Sequence, residues 1–199
     1  MMIETKTINP KILYYGNAIV LLTTVNEDGT TNISPISSSW ALDHFLVIGL
    51  GTTGKAYENL QRRGGCVLNI PGPDLWQHVE RIAACTGKEV VPSDKAAYGY
   101  ISVKDKFHAA GLTRKISSVV SAEAIAECPL QIEAEVRHIR EPDYMEGIAI
   151  IEVEVVAVHA QENILKEGKH IDPSKWSPLI YNFRHYFGLG EELGKTARA

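Results

Sequence analysis

With 199 residues, 45% of them hydrophobic and 22% charged, the chain has the make-up of a single globular domain, large enough to bury a core without disulfide or metal staples. Its 20 basic and 24 acidic residues leave a formal charge of −4, with no long basic run and no basic–aromatic interleaving, which argues against a nucleic-acid partner. Met1 to Lys6 lack a charged-then-apolar leader pattern and no apolar run approaches the roughly 18 residues of a membrane span, so a cytoplasmic protein is expected.

After a leader, Lys6 to Gly16, in which Pro10 excludes a long regular element and Tyr14-Tyr15 form a tyrosine pair, Ala18 to Val25 is rich in branched residues and reads as a strand. It ends at the hairpin-type turn Asn26-Glu27-Asp28-Gly29. Thr30 to Trp40 returns as a second strand, broken or bulged at Pro35, which cannot donate to a ladder. The apolar run His44 to Leu50 is a third strand, delivering Gly51-Thr52-Thr53-Gly54-Lys55 to a helix over Lys55 to Arg63. That helix carries Ala56, Tyr57 and Leu60 on one face and stops at Gly64-Gly65. Cys66 to Ile70 is a short strand closed by Pro71-Gly72-Pro73.

Asp74 then caps a helix reaching about Ala84, with Leu75, Val79, Ile82 and Ala83 as its apolar stripe. Val91 to Lys104 reads as a loop with a short helix from Pro92, and Asp105 to Ala110 as a helical turn ended by Gly111. Leu130 to Ile139 alternates Leu130, Ile132, Ala134 and Val136 with Gln131, Glu133, Glu135 and Arg137, the pattern of a half-buried strand. Gly147 to Val158 is a longer strand reached through Glu141-Pro142-Asp143. The tail holds Trp176, Tyr181, Phe183, Tyr186 and Phe187, which need either the body of the domain or a partner subunit to cover them.

Chemistry concentrates between Thr31 and Lys55. Gly51 and Gly54 let backbone amides converge, Thr52 and Thr53 add hydroxyl donors and Lys55 a positive charge, at the start of a helix whose first amides are unpaired. A phosphate would be held there, although an ordinary strand-to-helix turn would use the same residues; the spacing fits neither the P-loop nor the dinucleotide fingerprint. Ser37-Ser38-Ser39 is either a polar edge or a set of donors and acceptors facing a polar heterocycle. Cys66, Cys85 and Cys128 form no C-x-x-C pair, so neither a disulfide framework nor a zinc site is expected. Cys66 and Cys128 read as structural thiols; Cys85, in Ala84-Cys85-Thr86-Gly87, is open to a reactive reading. No nucleophile elbow, zincin motif or clustered histidine set is present.

Several segments in order resemble the flavin reductase-like family of FMN-binding split-barrel proteins. They are Asn32-Ile33-Ser34-Pro35, Ser37-Ser38-Ser39-Trp40, Gly51-Thr52-Thr53-Gly54-Lys55 with Asn59, and Val67-Leu68-Asn69-Ile70-Pro71. Asp105-Lys106-Phe107 with Ala110-Gly111-Leu112-Thr113, Ala126-Glu127-Cys128-Pro129-Leu130 with Glu133, His170-Ile171-Asp172-Pro173 and Pro178-Leu179-Ile180-Tyr181 extend the likeness over roughly residues 15 to 190. The resemblance implies one domain over residues 1–199, a mainly antiparallel split β-barrel with peripheral helices, non-covalent FMN and a homodimer with flavin near its interface. It implies cofactor contacts from Asn32, Ser34, Pro35, Ile36, Ser37, Ser38, Ser39, Trp40, Gly51, Thr52, Thr53, Gly54, Lys55, Asn59 and Lys106, the last as charge compensation at the phosphate or ring, unless it is a solvated surface lysine. No side chain need act as a general acid or base. The activity implied is passage of electrons from NAD(P)H through bound flavin to a flavin or protein acceptor; the alternative is a non-catalytic FMN carrier or sensor. Trp76 is either a flavin-stacking ring or a core or interface aromatic, and His185 either faces the flavin or lies on the surface.

Overall fold

The structure is a computed structural model and describes residues 3–196. Seven strands form one antiparallel sheet: β1 (Val20–Val25), β2 (Thr31–Ile36), β3 (Ser39–Leu42), β4 (Phe45–Gly51), β5 (Gly65–Ile70), β6 (Leu130–Arg140) and β7 (Ile148–Ala160). Their spatial order is β2-β1-β5-β6-β7-β4-β3, so β2 and β3 lie at opposite edges although only Ser37 and Ser38 separate them in sequence. In a flat sheet six inter-strand steps would put those edges roughly 29 Å apart. Three Cα-to-Cα steps span at most about 11 Å. The sheet therefore curls until its edges nearly meet, giving a split barrel, and the Gly49 amide of β4 donates to the Ser38 carbonyl at 2.8 Å, which continues the β3–β4 ladder up to the seam.

The curl creates two cores. Inside it, Val20, Leu22, Leu46, Ile48, Leu68 and Ile151 pack with Tyr57 and Leu60 of helix α1 (Lys55–Arg62). Outside it, Ile19, Leu21 and Ile33 meet Val79 and Ile82 of α2 (Trp76–Ala83), and Phe107 and Ala110 of the short helix Lys106–Ala110. Because both faces of β1 are covered, its sequence is a continuous buried run rather than an alternation. A separate small sheet joins Tyr15–Ala18 to Ile180–Asn182 and His185–Phe187 near the chain ends. Tyr181 sits between Tyr14 and Tyr186, with ring centroids 5.8 and 5.9 Å away. Phe183 and Phe187 remain about half exposed.

Three local expectations need correcting. The break in the second strand falls after Ile36, not at Pro35; Pro35 stays in the ladder opposite Leu21, tolerated because β2 is an edge strand. Asp74 does not cap α2: it lies in a 3-10 turn (Pro73–Leu75), and the helix begins at Trp76 without a side-chain cap. The alternation in β6 also misplaces two polar residues, since Gln131 and Glu133 are buried. Residues 115–128 fold over that face of the sheet and supply their partners. The Gln131 amide donates to the carbonyls of Ile125 (2.7 Å) and Cys128 (3.1 Å).

Glu133 is the anchor of this segment. Its carboxylate accepts the amides of Ser118, Val119 and Val120 at 2.7, 2.7 and 2.8 Å, the Ser118 hydroxyl at 2.8 Å, and lies 2.7 Å from His159 Nε2. Burial alone would raise its pKa, but the backbone and hydroxyl donors outweigh burial and bring it down to about 2. Because the folded-state value lies below the unfolded one, the stabilisation is complete above pH ~4.5 and lost as the pH falls towards ~2, and is worth on the order of 3 kcal/mol. Replacing Glu133 with Gln is expected to cost about 2–3 kcal/mol in urea unfolding at pH 7. The gap between wild type and E133Q should close as the pH is taken from 5 to 2, and a constant gap would contradict this account.

Candidate functional site

The seam opens onto a half-enclosed cleft of about 260 Å³. One wall is the seam itself, Ser34, Pro35, Ile36, Ser37 and Ser38, with Tyr14 behind it, whose hydroxyl lies 2.6 Å from Ser38 Oγ. A second wall is Gly49, Leu50 and Gly51 at the end of β4. The absence of a side chain at Gly49 lets Ser38 lie close against β4, since a Cβ there would lie 3.1 Å from that of Ser38. The floor is the start of α1, from Gly54 to Tyr57, and the remaining side carries Cys85, Thr86, Gly87, Lys95, Tyr100 and Lys106.

Helix α1 starts without a side-chain cap on extended Gly54. The amides of Lys55, Ala56 and Tyr57 thus lack intrahelical acceptors at the positive end of the helix dipole, facing the cleft. Gly54 donates its own amide to Gly51 (3.0 Å) and Thr52 donates to Gly147 (2.9 Å), so these two are committed to the turn.

The side chains expected around an anion are distributed differently. Lys55 contributes its stem and backbone to the cleft, but its ammonium is held by Glu27 (2.7 Å) and Glu58 (2.8 Å). Burial would lower the Lys55 pKa, yet hydrogen bonds to those carboxylates raise it overall; Glu58 in turn is lowered to about 2 by Lys55 and Lys88. The Thr53 hydroxyl donates to Asp94 at 2.9 Å. Asn59 is buried beneath α1, donating to Thr24 (3.0 Å) and Asn26 (2.9 Å), and so ties the helix to β1. Asn32 donates to Ser34 Oγ at 3.1 Å, while its own side-chain oxygen is buried against Gly87 without a partner among the described residues. Ser39 and Trp40 line a separate, more apolar groove beyond Ser38.

Lys106 is 2% exposed and donates one of its three ammonium hydrogens to the Ile33 carbonyl at 2.8 Å, its only hydrogen bond among the described residues. Burial pushes its pKa down to about 8, so at neutral pH it remains mostly a cation, with donors to spare at the edge of the cleft. Asp105 positions it by capping the helix Lys106–Ala110, accepting from the His108 amide at 3.1 Å, and Gly111 ends the helix in the left-handed region. Lys106 is thus neither solvated nor ion-paired.

Tyr14, Gly49, Thr86, Gly87, Lys95 and Tyr100 enter the cleft without having been singled out as contacts. Only the small-residue run at Cys85-Thr86-Gly87 carried a sequence signal, as a stretch where backbone can approach closely. Cys85 is partly exposed at the cleft, whereas Cys66 and Cys128 are buried, and burial pushes the Cys66 thiol up to about 12. Trp76 is outside the cleft, its ring 6.1 Å from that of Tyr186 beside a shallow pocket of its own, and His185 is exposed next to Phe187. Among the described residues no cluster of three or more His, Cys, Asp or Glu side chains is placed to hold a metal ion, and no helix is long and apolar enough to cross a membrane.

A curled antiparallel half-barrel with a cleft at its seam defines a split-barrel fold. The model of the flavin reductase like domain matches residues 13–190, and the chain belongs to that family. Membership makes it a flavin-related oxidoreductase and implies that it binds flavin. It is 58% identical over 194 residues to the uncharacterised protein YdfE of Bacillus subtilis (strain 168), covering 98% of this chain and 94% of that one. The fold is similar to that of flavoredoxin from Desulfovibrio vulgaris (Miyazaki F), with a TM-score of 0.82 at 22% identity and coverage of 98% and 99% of the two chains. It is also similar to nitrilotriacetate monooxygenase component B from Bacillus cereus, with a TM-score of 0.73 at 18% identity, covering 98% of this chain and all of the other.

Gly87 tests the packing at this site directly. A Cβ there would lie 2.4 Å from the Asn32 side-chain oxygen and 3.1 Å from Lys55 Cγ. Gly87→Ala is expected to destabilise the protein by about 1–3 kcal/mol, lowering the Tm by several degrees in a thermal melt. An unchanged Tm would mean that the Asn32–Gly87 contact is loose.

Proposed function

We propose that the seam cleft binds FMN non-covalently and that the protein is an NAD(P)H-dependent flavin reductase or flavoredoxin-like oxidoreductase, delivering electrons to a flavin or protein acceptor. The observation that carries this reading is the meeting, in one cleft, of the uncapped start of α1, the peptide and hydroxyl groups of the seam, and the buried Lys106 ammonium. The amides of Lys55, Ala56 and Tyr57 suit a phosphate, and the backbone of Gly51 and Gly54 leaves space for it to approach. Ser34, Ser37 and Ser38, with the peptide groups of Pro35 and Ile36, offer alternating donors and acceptors to the polar edge of a heterocycle. Asn32 holds Ser34 from behind. Lys106 brings a positive charge to the same cavity, suited to an anionic group or to negative charge on a reduced ring.

Bound flavin supplies the hydride and electron chemistry, so the side chains need only bind, orient and limit access. The purified protein is expected to show, or to take up with added FMN, a visible flavin spectrum that bleaches anaerobically on addition of NADH or NADPH. A spectrum that neither donor bleaches would favour a non-catalytic carrier. Failure to bind FMN at all would overturn the assignment.

The second element of the proposal is a homodimer. The groove beyond Ser38 is lined by Leu13, Tyr15, Trp40, Leu42 and Phe45, all well exposed, together with Arg140 and Glu152. Opposite charges on one apolar patch suit a two-fold related copy of the same surface, and the groove shares Tyr14, Ser38 and Gly49 with the cleft. Sedimentation velocity should find a dimer for wild type and a monomer for Phe45→Glu; a monomeric wild type at micromolar concentration would reject it.

A further inference from the structure

Lys55, the cation that the loop sequence points to, has its charge engaged by Glu27 and Glu58, which leaves open which cation meets an anion at the start of α1. Lys95 stands there. It lies on the short helix Ser93–Ala96, lines the cleft, and its Nζ is 3.5 Å from the point where a side chain on Gly54 would begin. Its ammonium has no hydrogen bond or ion pair with any described residue; the Tyr100 ring, 5.7 Å away at the centroid, is its companion. Partial burial lowers its pKa, helped by Lys88 and opposed by Asp94, which marks an ammonium short of compensating negative charge.

The position of Lys95 is built. Asp94, its neighbour, accepts the Thr53 hydroxyl at 2.9 Å, so the loop entering α1 fastens the segment that carries Lys95. The amides of Lys95 and Ala96 donate to the Pro92 carbonyl at 3.0 and 2.8 Å, and the Ile101 and Val103 amides donate to Ala84 and Thr86 at 3.0 and 2.9 Å, holding the far end of the segment against the cleft. Three free amides, a helix dipole and an uncommitted ammonium thus converge above a residue with no side chain.

We infer that Lys95 is the phosphate-specificity residue of the site: it pairs with the terminal phosphate of the flavin over the start of α1, positioned by the Thr53–Asp94 contact, and so makes the cleft select FMN over unphosphorylated riboflavin. This rests on the flavin reading of the cleft. Lys55 acts differently, since its ammonium neutralises Glu27 and Glu58 and keeps those carboxylates from repelling the same phosphate.

The test is a pair of equilibrium titrations, FMN and riboflavin, each followed by flavin fluorescence, on wild type, Lys95→Gln and Thr53→Val. Lys95→Gln is expected to raise the Kd for FMN by about tenfold to a hundredfold while moving that for riboflavin by less than about twofold. Thr53→Val should shift the same ratio in the same direction by a smaller factor, because it loosens Lys95 without removing it. Equal losses for both ligands, or no loss for FMN, would overturn the role of Lys95. If wild type binds neither flavin, the flavin reading itself fails, an outcome distinct from either of these.

Discussion

The two residues Ser37 and Ser38 are the constraint on which this molecule turns. They must carry the chain from one edge of a seven-stranded sheet to the other, and they can do so only if the sheet bends back on itself. Once it has bent, β1 has neighbours on both sides, α1 drops into the open end of the barrel, and the backbone at the joint is left beside the N-terminus of that helix. Fold and site therefore have one origin. The glycine at position 49 and the Tyr14 hydroxyl bonded to Ser38 are the local features that seat Ser38 at the joint.

Charge is then distributed around the cleft by burial. Lys55 and Lys106 are both hidden, but Lys55 is matched by two carboxylates while Lys106 faces only a carbonyl, so one is a structural cation and the other holds a charge that has not been cancelled. Glu133 shows the opposite solution on the far side of the sheet, a buried carboxylate saturated by amide donors until its proton affinity is far below normal. In each case the number of donors or countercharges within hydrogen-bond reach decides the protonation state.

Much of this was legible in the sequence because it depends on local pattern. The branched runs of β1 and β5, the helix after Lys55, the helical turn capped by Asp105 and ended by Gly111, and the polar run at the seam all have short-range signatures. What was not legible depends on partners distant in the chain. Nothing near Lys55 announces that Glu27, 28 residues earlier, takes its charge. Nothing around Lys95 distinguishes it from a surface lysine, since its place is set by Thr53, which bonds its neighbour Asp94 across 41 residues. The outward side of β6 misled for the same reason: alternation predicts which residues point away from the barrel, but not that residues 115–128 will return to cover them.

The small sheet that joins the two ends of the chain has a consequence for when the protein becomes competent. Tyr15 pairs with Asn182, the Tyr14 carbonyl accepts the Phe183 amide at 2.8 Å, and Tyr14 is also a wall of the cleft. A chain emerging from the ribosome has Ser37 and the start of α1 long before it has Ile180 to Phe187, so that wall lacks these partners until the later segment has been made. Closing so long a loop costs entropy that only the docked contact repays. The cleft thus depends for one wall on a segment more than 160 residues further along the chain, and it is complete only once that segment has docked.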